Sequence, residues 1–234
     1  MIIDEQVKVF EREIAKVQKY LLTAINENIV QMDLFNIAPE NLELEKLTNR
    51  LFIALEEGGY SDLISKNLAD TKKLDSSILA EAGKRLNMDF GGISTDSLNG
   101  LLKMDYEFLQ DIGEDAVKQV QQGLYQSVVA GRQYSEAITG IEDMLDNRLK
   151  RYATTYIRTA KNTYQQSVEN EIGKKLGIED LMWEYTGPSD DKTRPECARG
   201  LAKGKVTTKE KKAFQSATVP RYNCRHRWII VEVE

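Results

Sequence analysis

Two cysteines and one histidine are the only soft or borderline metal ligands in this 234-residue sequence apart from its methionines, and all three fall near the C-terminus. Cys197 ends the run Thr193-Arg194-Pro195-Glu196-Cys197, and the other two lie in Asn223-Cys224-Arg225-His226. Cys224 and His226 stand two apart just before a strand-like segment, and residues i and i+2 of an extended chain project from one face. Both side chains can therefore turn toward one ion, with Cys197 as a third ligand and Asp190 or Asp191 as a candidate fourth. Thiolates and imidazole suit zinc; structural sites usually close with four such ligands, whereas a catalytic site keeps one position open. A catalytic site also needs a general base, for which Glu184 and Glu196 are near in sequence. The competing reading is two thiols and a histidine packed or hydrogen-bonded where loops meet. Zinc is the one cofactor these residues point to, and two cysteines do not make a disulfide framework. A pair that oxidises only after release from the cell is a further reading.

Other catalytic patterns are missing. The sequence has no Gly-x-x-x-x-Gly-Lys-Ser/Thr, no Gly-x-Gly-x-x-Gly and no Gly-x-Ser-x-Gly elbow that would let His226 serve a triad. Hydrolysis is open only through a metal at the Cys/His cluster. Charge is lopsided: residues 1–147 carry 14 basic and 26 acidic side chains, and residues 148–234 carry 18 and 11. A basic end tolerates phosphate or an acidic protein surface. Lys211, Lys212, Arg221 and Arg225, interleaved with Phe214, Tyr222 and Trp228, are the candidate nucleic-acid contacts, because basic side chains beside aromatics suit phosphate and exposed bases.

The elements that would position these residues are mostly helices. Val7, Phe10, Ile14, Val17, Leu21 and Ala24 recur in steps of three and four, a seam that stops near Asn26-Glu27-Asn28. Val7, Phe10, Ile14, Val17 and Leu21 form a candidate partner-docking face. A loop with Asn36, Ala38-Pro39 and Glu40 precedes a helix near 41–56, ended by Gly58-Gly59. Further helices are expected near 61–69, 75–87 and 96–112, with a break or hinge at Phe90–Asp96. Gly113 is expected to start a new helix that ends at Gly131. From Ser135 to Leu176 the periodicity predicts either one helix of about forty residues, about 60 Å long, or two helices broken near Leu145–Arg148. Met182–Thr186 and Trp228–Glu234 read as strands, with turns at Gly187-Pro188 and between Gly200 and Gly204, and a short capped helix from Thr207 to Phe214. The expected fold is mainly α, an elongated helical body with a small C-terminal α+β module, divided as residues 1–112 and 113–234, the latter holding long helices over 114–176 and a cap over 178–234. The N-terminus lacks a secretion signal and no apolar stretch approaches the roughly 18–20 residues that span a bilayer, so a cytoplasmic protein without membrane partners is expected.

From about Gly113 to Val233 the order of signatures resembles the phage Mu F-like family of minor head proteins, also called phage head morphogenesis proteins. In sequence these are a helix ending at Gly131, a long helix with Arg158-Thr159, a tryptophan-led strand, Thr193–Cys197, a Gly204-Lys205-Val206 turn, and Asn223–His226. Family members usually read Arg-Thr-Glu where this chain has Arg158-Thr159-Ala160, and Asn-Cys-Arg-Cys where it has His226. The resemblance implies a few-copy structural component of the phage head at the portal vertex, acting in head assembly or DNA delivery, rather than an enzyme. It implies the portal protein, capsid or scaffolding proteins and packaged DNA as partners, residues 1–112 as the portal- or capsid-engaging part, and localisation to the virion after assembly in the host cytoplasm. A metal-dependent hydrolase or toxin-like effector and a DNA-binding accessory protein are the alternatives.

Overall fold

The computed structural model describes residues 2–32, 43–177, 181–218 and 223–233, and side chains within these except for Ile2 and residues 215–218. The expected loop at Asn36–Glu40 lies outside the described residues, as do Arg221 and Tyr222. The elements are α1 (Ile2–Met32), α2 (Leu44–Glu57), α3 (Tyr60–Lys72), α4 (Leu74–Leu86), α5 (Asp96–Val129), α6 (Tyr134–Leu145), a π-helical turn (Asp146–Arg151), α7 (Tyr152–Leu176), β1 (Leu181–Thr186), α8 (Pro195–Leu201), β2 (Lys205–Thr207), α9 (Thr208–Thr218) and β3 (Arg227–Val233). The fold is mainly α with a small antiparallel sheet near the C-terminus, as the hydrophobic periodicity predicts. Among the described residues, no helix is long and apolar enough to cross a membrane. The chain forms two compact units, Met1–Asn67 with Tyr106–Thr154, and Leu68–Asp105 with Thr155–Glu234. The boundary expected between residues 112 and 113 falls instead inside α5.

In the first unit the seam of α1 faces inward. Val7, Phe10, Ile14, Val17 and Leu21 are at most 3% exposed, and Ile25 and Ile29 carry the same stripe past Asn26–Asn28. Those three residues do not end the helix, because they fall on its outer side, where Asn28 Nδ2 donates to Ala24 O at 2.7 Å. α1 packs on α2, α6 and the π-helical turn, opposite Leu47, Leu51 and Leu55 of α2 and Leu145 and Leu149 beyond it. Each such side chain taken from water contributes about 1.5–3 kcal/mol. The proposed docking seam is therefore the core of this unit and is not available to a partner.

Gly113 does not begin a helix. α5 runs through it, and a Cβ there would sit 2.3 Å from Cε1 of the Tyr60 ring. Tyr60 is fully buried and its hydroxyl donates to Leu109 O at 2.5 Å. The glycine thus gives room for an aromatic ring against the helix, a use that local pattern cannot distinguish from a helix break. Likewise the segment after Tyr134 neither runs as plain α-helix nor breaks near Leu145. One π turn at Asp146–Arg151 resets the register, so that Leu145, Leu149 and Ala153 all stay buried.

In the second unit β1 is the central strand of the order β2-β1-β3, both pairings antiparallel, with Trp183 opposite Val206 and Tyr185 opposite Trp228. Leu181, Trp183 and Tyr185 alternate onto one buried face of β1, while Glu184 is exposed. α8 and α9 pack on β1, and α4 packs on β3. The turn expected at Gly204-Lys205-Val206 overlaps the three-residue strand β2, and α8 was not anticipated, being too short to show periodicity. α9 opens with the expected capping box: Glu210 Oε2 accepts from Thr207 N at 2.8 Å, and Glu210 N donates to Thr207 Oγ1 at 3.3 Å. In the expected Phe90–Asp96 break residues 90–95 are non-helical and Asp96 already begins α5, but Phe90 is buried and Lys175 Nζ donates to Phe90 O and to Gly92 O.

α7 meets β3 through a polar stripe spaced by three and four residues. Thr159 Oγ1 accepts from Asn223 N at 2.7 Å, Asn162 Nδ2 donates to Cys224 O, Gln166 Oε1 accepts from Trp228 N at 2.8 Å, and Glu169 Oε2 accepts from Ile230 N at 3.3 Å. Arg85 of α4 completes the stripe. Its Nη2 lies 3.0 Å from both carboxylate oxygens of Glu169, and its Nε donates to Ile230 O.

Candidate metal centre

The structure brings Cys197, Cys224 and His226 together: their ligand atoms all lie within 4.8 Å of one another, and all three residues are buried. Each arrives by a separate local device. Arg194, preceding a proline, takes the extended backbone that the proline ring favours. Pro195 then opens α8 and sets Cys197 on its first turn, facing inward. Asn223, at φ 61°, turns the chain into Cys224, and α7 holds that turn through Thr159 and Asn162. His226 approaches Gly187 so closely that a Cβ there would lie 2.4 Å from the imidazole Cδ2. The ring also stacks on Tyr185, centroids 5.6 Å apart and planes 15° apart.

The hydrogen bonds settle which imidazole nitrogen faces the sulfurs. His226 Nε2 is 2.7 Å from Pro188 O, and a carbonyl can only accept, so Nε2 carries the proton. Burial lowers the pKa of the ring below the usual histidine range, against the pull of the Pro188 carbonyl. The neutral ring therefore leaves a lone pair on Nδ1, which stands 3.9 Å from Cys224 Sγ. Cys197 Sγ and Cys224 Sγ are 3.9 Å apart, and burial raises the Cys197 thiol. Tyr185 Oη lies 3.7 Å from one sulfur and 3.8 Å from the other, with its own pKa raised by burial in the first place.

The acidic residues named from the sequence lie elsewhere. Asp190 is clamped by Arg225, whose Nη1 and Nη2 donate to its carboxylate at 2.7 and 2.5 Å. That guanidinium holds the carboxyl well below the usual range. Asp190 also accepts from Lys192 N at 3.0 Å and so shapes the loop that presents Pro188 to His226. Asp191 is exposed and is not part of the cluster. Glu184 lies on the opposite face of β1, so it cannot act as a base at this centre; Glu196 is half-buried beside Cys197.

The proposed nucleic-acid set also separates. Lys211 is 4% exposed, its ammonium 3.0 Å from the centroid of Trp183 and bonded to Asn170 Oδ1 at 3.0 Å. It is a packed residue, not a phosphate contact. Arg225 is engaged by Asp190, Lys212 is exposed, and Arg221 lies outside the described residues. The sequence reading missed Asn162, Gln166, Glu169 and Arg85. The stripe 159, 162, 166, 169 has the spacing of one helix face, but only the partner strand shows that this face binds backbone.

Comparison with known proteins agrees with the order of signatures. No curated protein and no solved structure gives a significant match. Residues 118–229 match the family model described as Phage Mu protein F like protein. The matched stretch takes in α7, all three strands at least in part, and every ligand atom of the candidate centre. Over those residues, just under half of its length, the chain is similar to the Phage Mu F-like family.

Proposed function

We propose that this chain is a minor head protein of a phage, present in few copies, seated at the portal vertex and acting in head assembly, DNA delivery or both. The observation that carries the reading is the family match over 118–229, which supports a head morphogenesis protein located in the virion. The portal protein is the first partner, with capsid or scaffolding proteins next and packaged DNA a further contact; the chain stays in the host cytoplasm until assembly. The apolar seam of α1 is spent on its own core, so docking has to use outward-facing residues of the first unit, such as Val9, Tyr20 and Val30 of the same helix. Of the two candidate bases for a catalytic reading, Glu184 faces away from the Cys/His cluster and only Glu196 lies beside it.

The test is quantitative mass spectrometry of purified particles, with the chain measured against the portal protein. A reproducible ratio of one or fewer per portal subunit is expected. Absence from finished particles, together with absence from isolated proheads, sinks the reading.

A further inference from the structure

We propose that Cys197, Cys224 and His226 bind one zinc ion through Sγ, Sγ and Nδ1, and that Tyr185 Oη faces the fourth position, making a structural fastening inside the module. Such a fastening holds whatever role the chain has in a phage particle.

Four observations carry it. A tetrahedral zinc ion with Zn–S bonds of about 2.3 Å sets its sulfurs about 3.8 Å apart. The two sulfurs here are 3.9 Å apart, and Tyr185 Oη stands 3.7 and 3.8 Å from them. Three edges of the coordination polyhedron are therefore already close to the required length. The imidazole is also preset: Nε2–H is fixed on Pro188 O, so the ligating nitrogen is Nδ1, the one that faces sulfur. Such a carbonyl partner on the outer nitrogen is the usual support of a zinc-bound histidine. Burial favours the ion as well, because two thiolates neutralise Zn²⁺ and no net charge is left in an enclosed site. Finally, the groups around the ion come from three pieces of chain: Cys197 from α8, Cys224 and His226 from the approach to β3, and Tyr185 from β1. One ion ties these pieces together in a small α+β unit.

Binding is a simple exchange. Each thiol S–H bond gives way to a S–Zn bond, two protons leave to solvent, and no redox change occurs.

The experiment uses the full chain expressed in zinc-supplemented medium and purified under reducing, chelator-free conditions. Elemental analysis should find one zinc per chain. Replacement by cobalt should give thiolate-to-cobalt charge-transfer bands with the intense visible bands of a tetrahedral site. Cys224→Ser and His226→Ala should lose stoichiometric zinc. His226→Cys should retain it, because a thiolate replaces imidazole at the same corner, and this variant separates ligand loss from misfolding. Circular dichroism of each variant monitors the helical body. Three results overturn the proposal: a zinc-free chain that takes up no metal on titration, a chain whose mass and thiol count show a Cys197–Cys224 disulfide in the reduced preparation, or zinc retained equally by all variants.

Discussion

Replacing Glu169 by Leu is the sharpest test of how α7 holds the sheet. Its carboxylate is 1% exposed and accepts two bonds from Arg85 at 3.0 Å and one from Ile230 N at 3.3 Å. Burial pushes its pKa up while Arg85 opposes, so the pair is held in place by geometry under a desolvation cost. Removing one member of such a pair leaves the other charge uncompensated, which costs about 3–5 kcal/mol. Arg85, 16% exposed, has some relief from solvent, so the lower end, about 3 kcal/mol, is expected for Glu169→Leu, whereas Arg85→Met strands Glu169 at 1% exposure and should cost nearer to about 5 kcal/mol. The double variant has no stranded charge. Apolar replacement of a whole pair often returns about 1–4 kcal/mol, while the unpaired Ile230 N–H and C=O cost about 1–3 kcal/mol each. At mid-range the double variant should therefore be about 1.5 kcal/mol less stable than wild type, far short of the sum of the two single losses. The assay is built in, because both tryptophans, Trp183 and Trp228, are buried in this unit. Urea unfolding followed by tryptophan emission reports the second unit, and far-ultraviolet circular dichroism reports both. Single losses below about 1 kcal/mol, or a double variant equal to the sum of the singles, would refute the reasoning.

Gly113→Ala usually stabilises a helix by about 1 kcal/mol, but here the new methyl meets the Tyr60 ring, so a loss of about 1–3 kcal/mol is expected in thermal melts; a gain would show that the ring moves freely. Ile14→Glu or Leu21→Glu buries a charge in the first unit's core, so hydrogen exchange should report opening of α1 and α2, and unchanged protection there would contradict their burial. Lys161 is fully buried, with Nζ 2.8 Å from Thr71 Oγ1, and burial lowers its pKa to about 8 despite Asp70 and Asp105. The unfolded chain then binds more protons than the folded one between about pH 8 and 10.4, so this lysine makes stability rise with pH across that window. Below pH 8 both states are protonated and the contribution is flat. Lys161→Met should remove up to about 1.4 kcal/mol per pH unit from the slope, measured as the difference between wild type and variant at pH 8 and 9.5; equal slopes would show that Lys161 keeps its proton throughout.

The helical body and the two longer strands, β1 and β3, were legible because burial imposes period 3.6 or 2 on residues such as Val7 to Leu21 and Trp183 to Tyr185. What the same periodicity could not say is who faces the buried stripe: a core seam and a docking seam read alike, and only α2, α6 and the π turn identify the first. Gly113 failed for a related reason, since a glycine kept for a distant ring looks like a glycine kept for a bend. At the candidate centre, Cys197, Cys224 and His226 were found because their residue types are rare in this chain. Asp190 was misjudged because its sequence neighbourhood hides Arg225, which reaches it from 35 residues away. Lys211 was misread because charge alone marks a residue as exposed until a ring such as Trp183 is seen beneath it.

The stripe on α7 has a further meaning for how this sheet stays single. β3 is an outer strand, paired with β1 on one side only; open strand edges invite another chain to add to them. Here side chains of a helix, rather than a fourth strand, occupy the outer backbone groups at Trp228 and Ile230. A fragment that begins after α7 would expose that edge and should self-associate through it. Even a fragment cut at residue 118, where the family match begins, would lack Arg85. The smallest piece of this protein that keeps its sheet to itself is therefore discontinuous in sequence, and any fusion or truncation meant to carry the module intact has to bring α4 along with it.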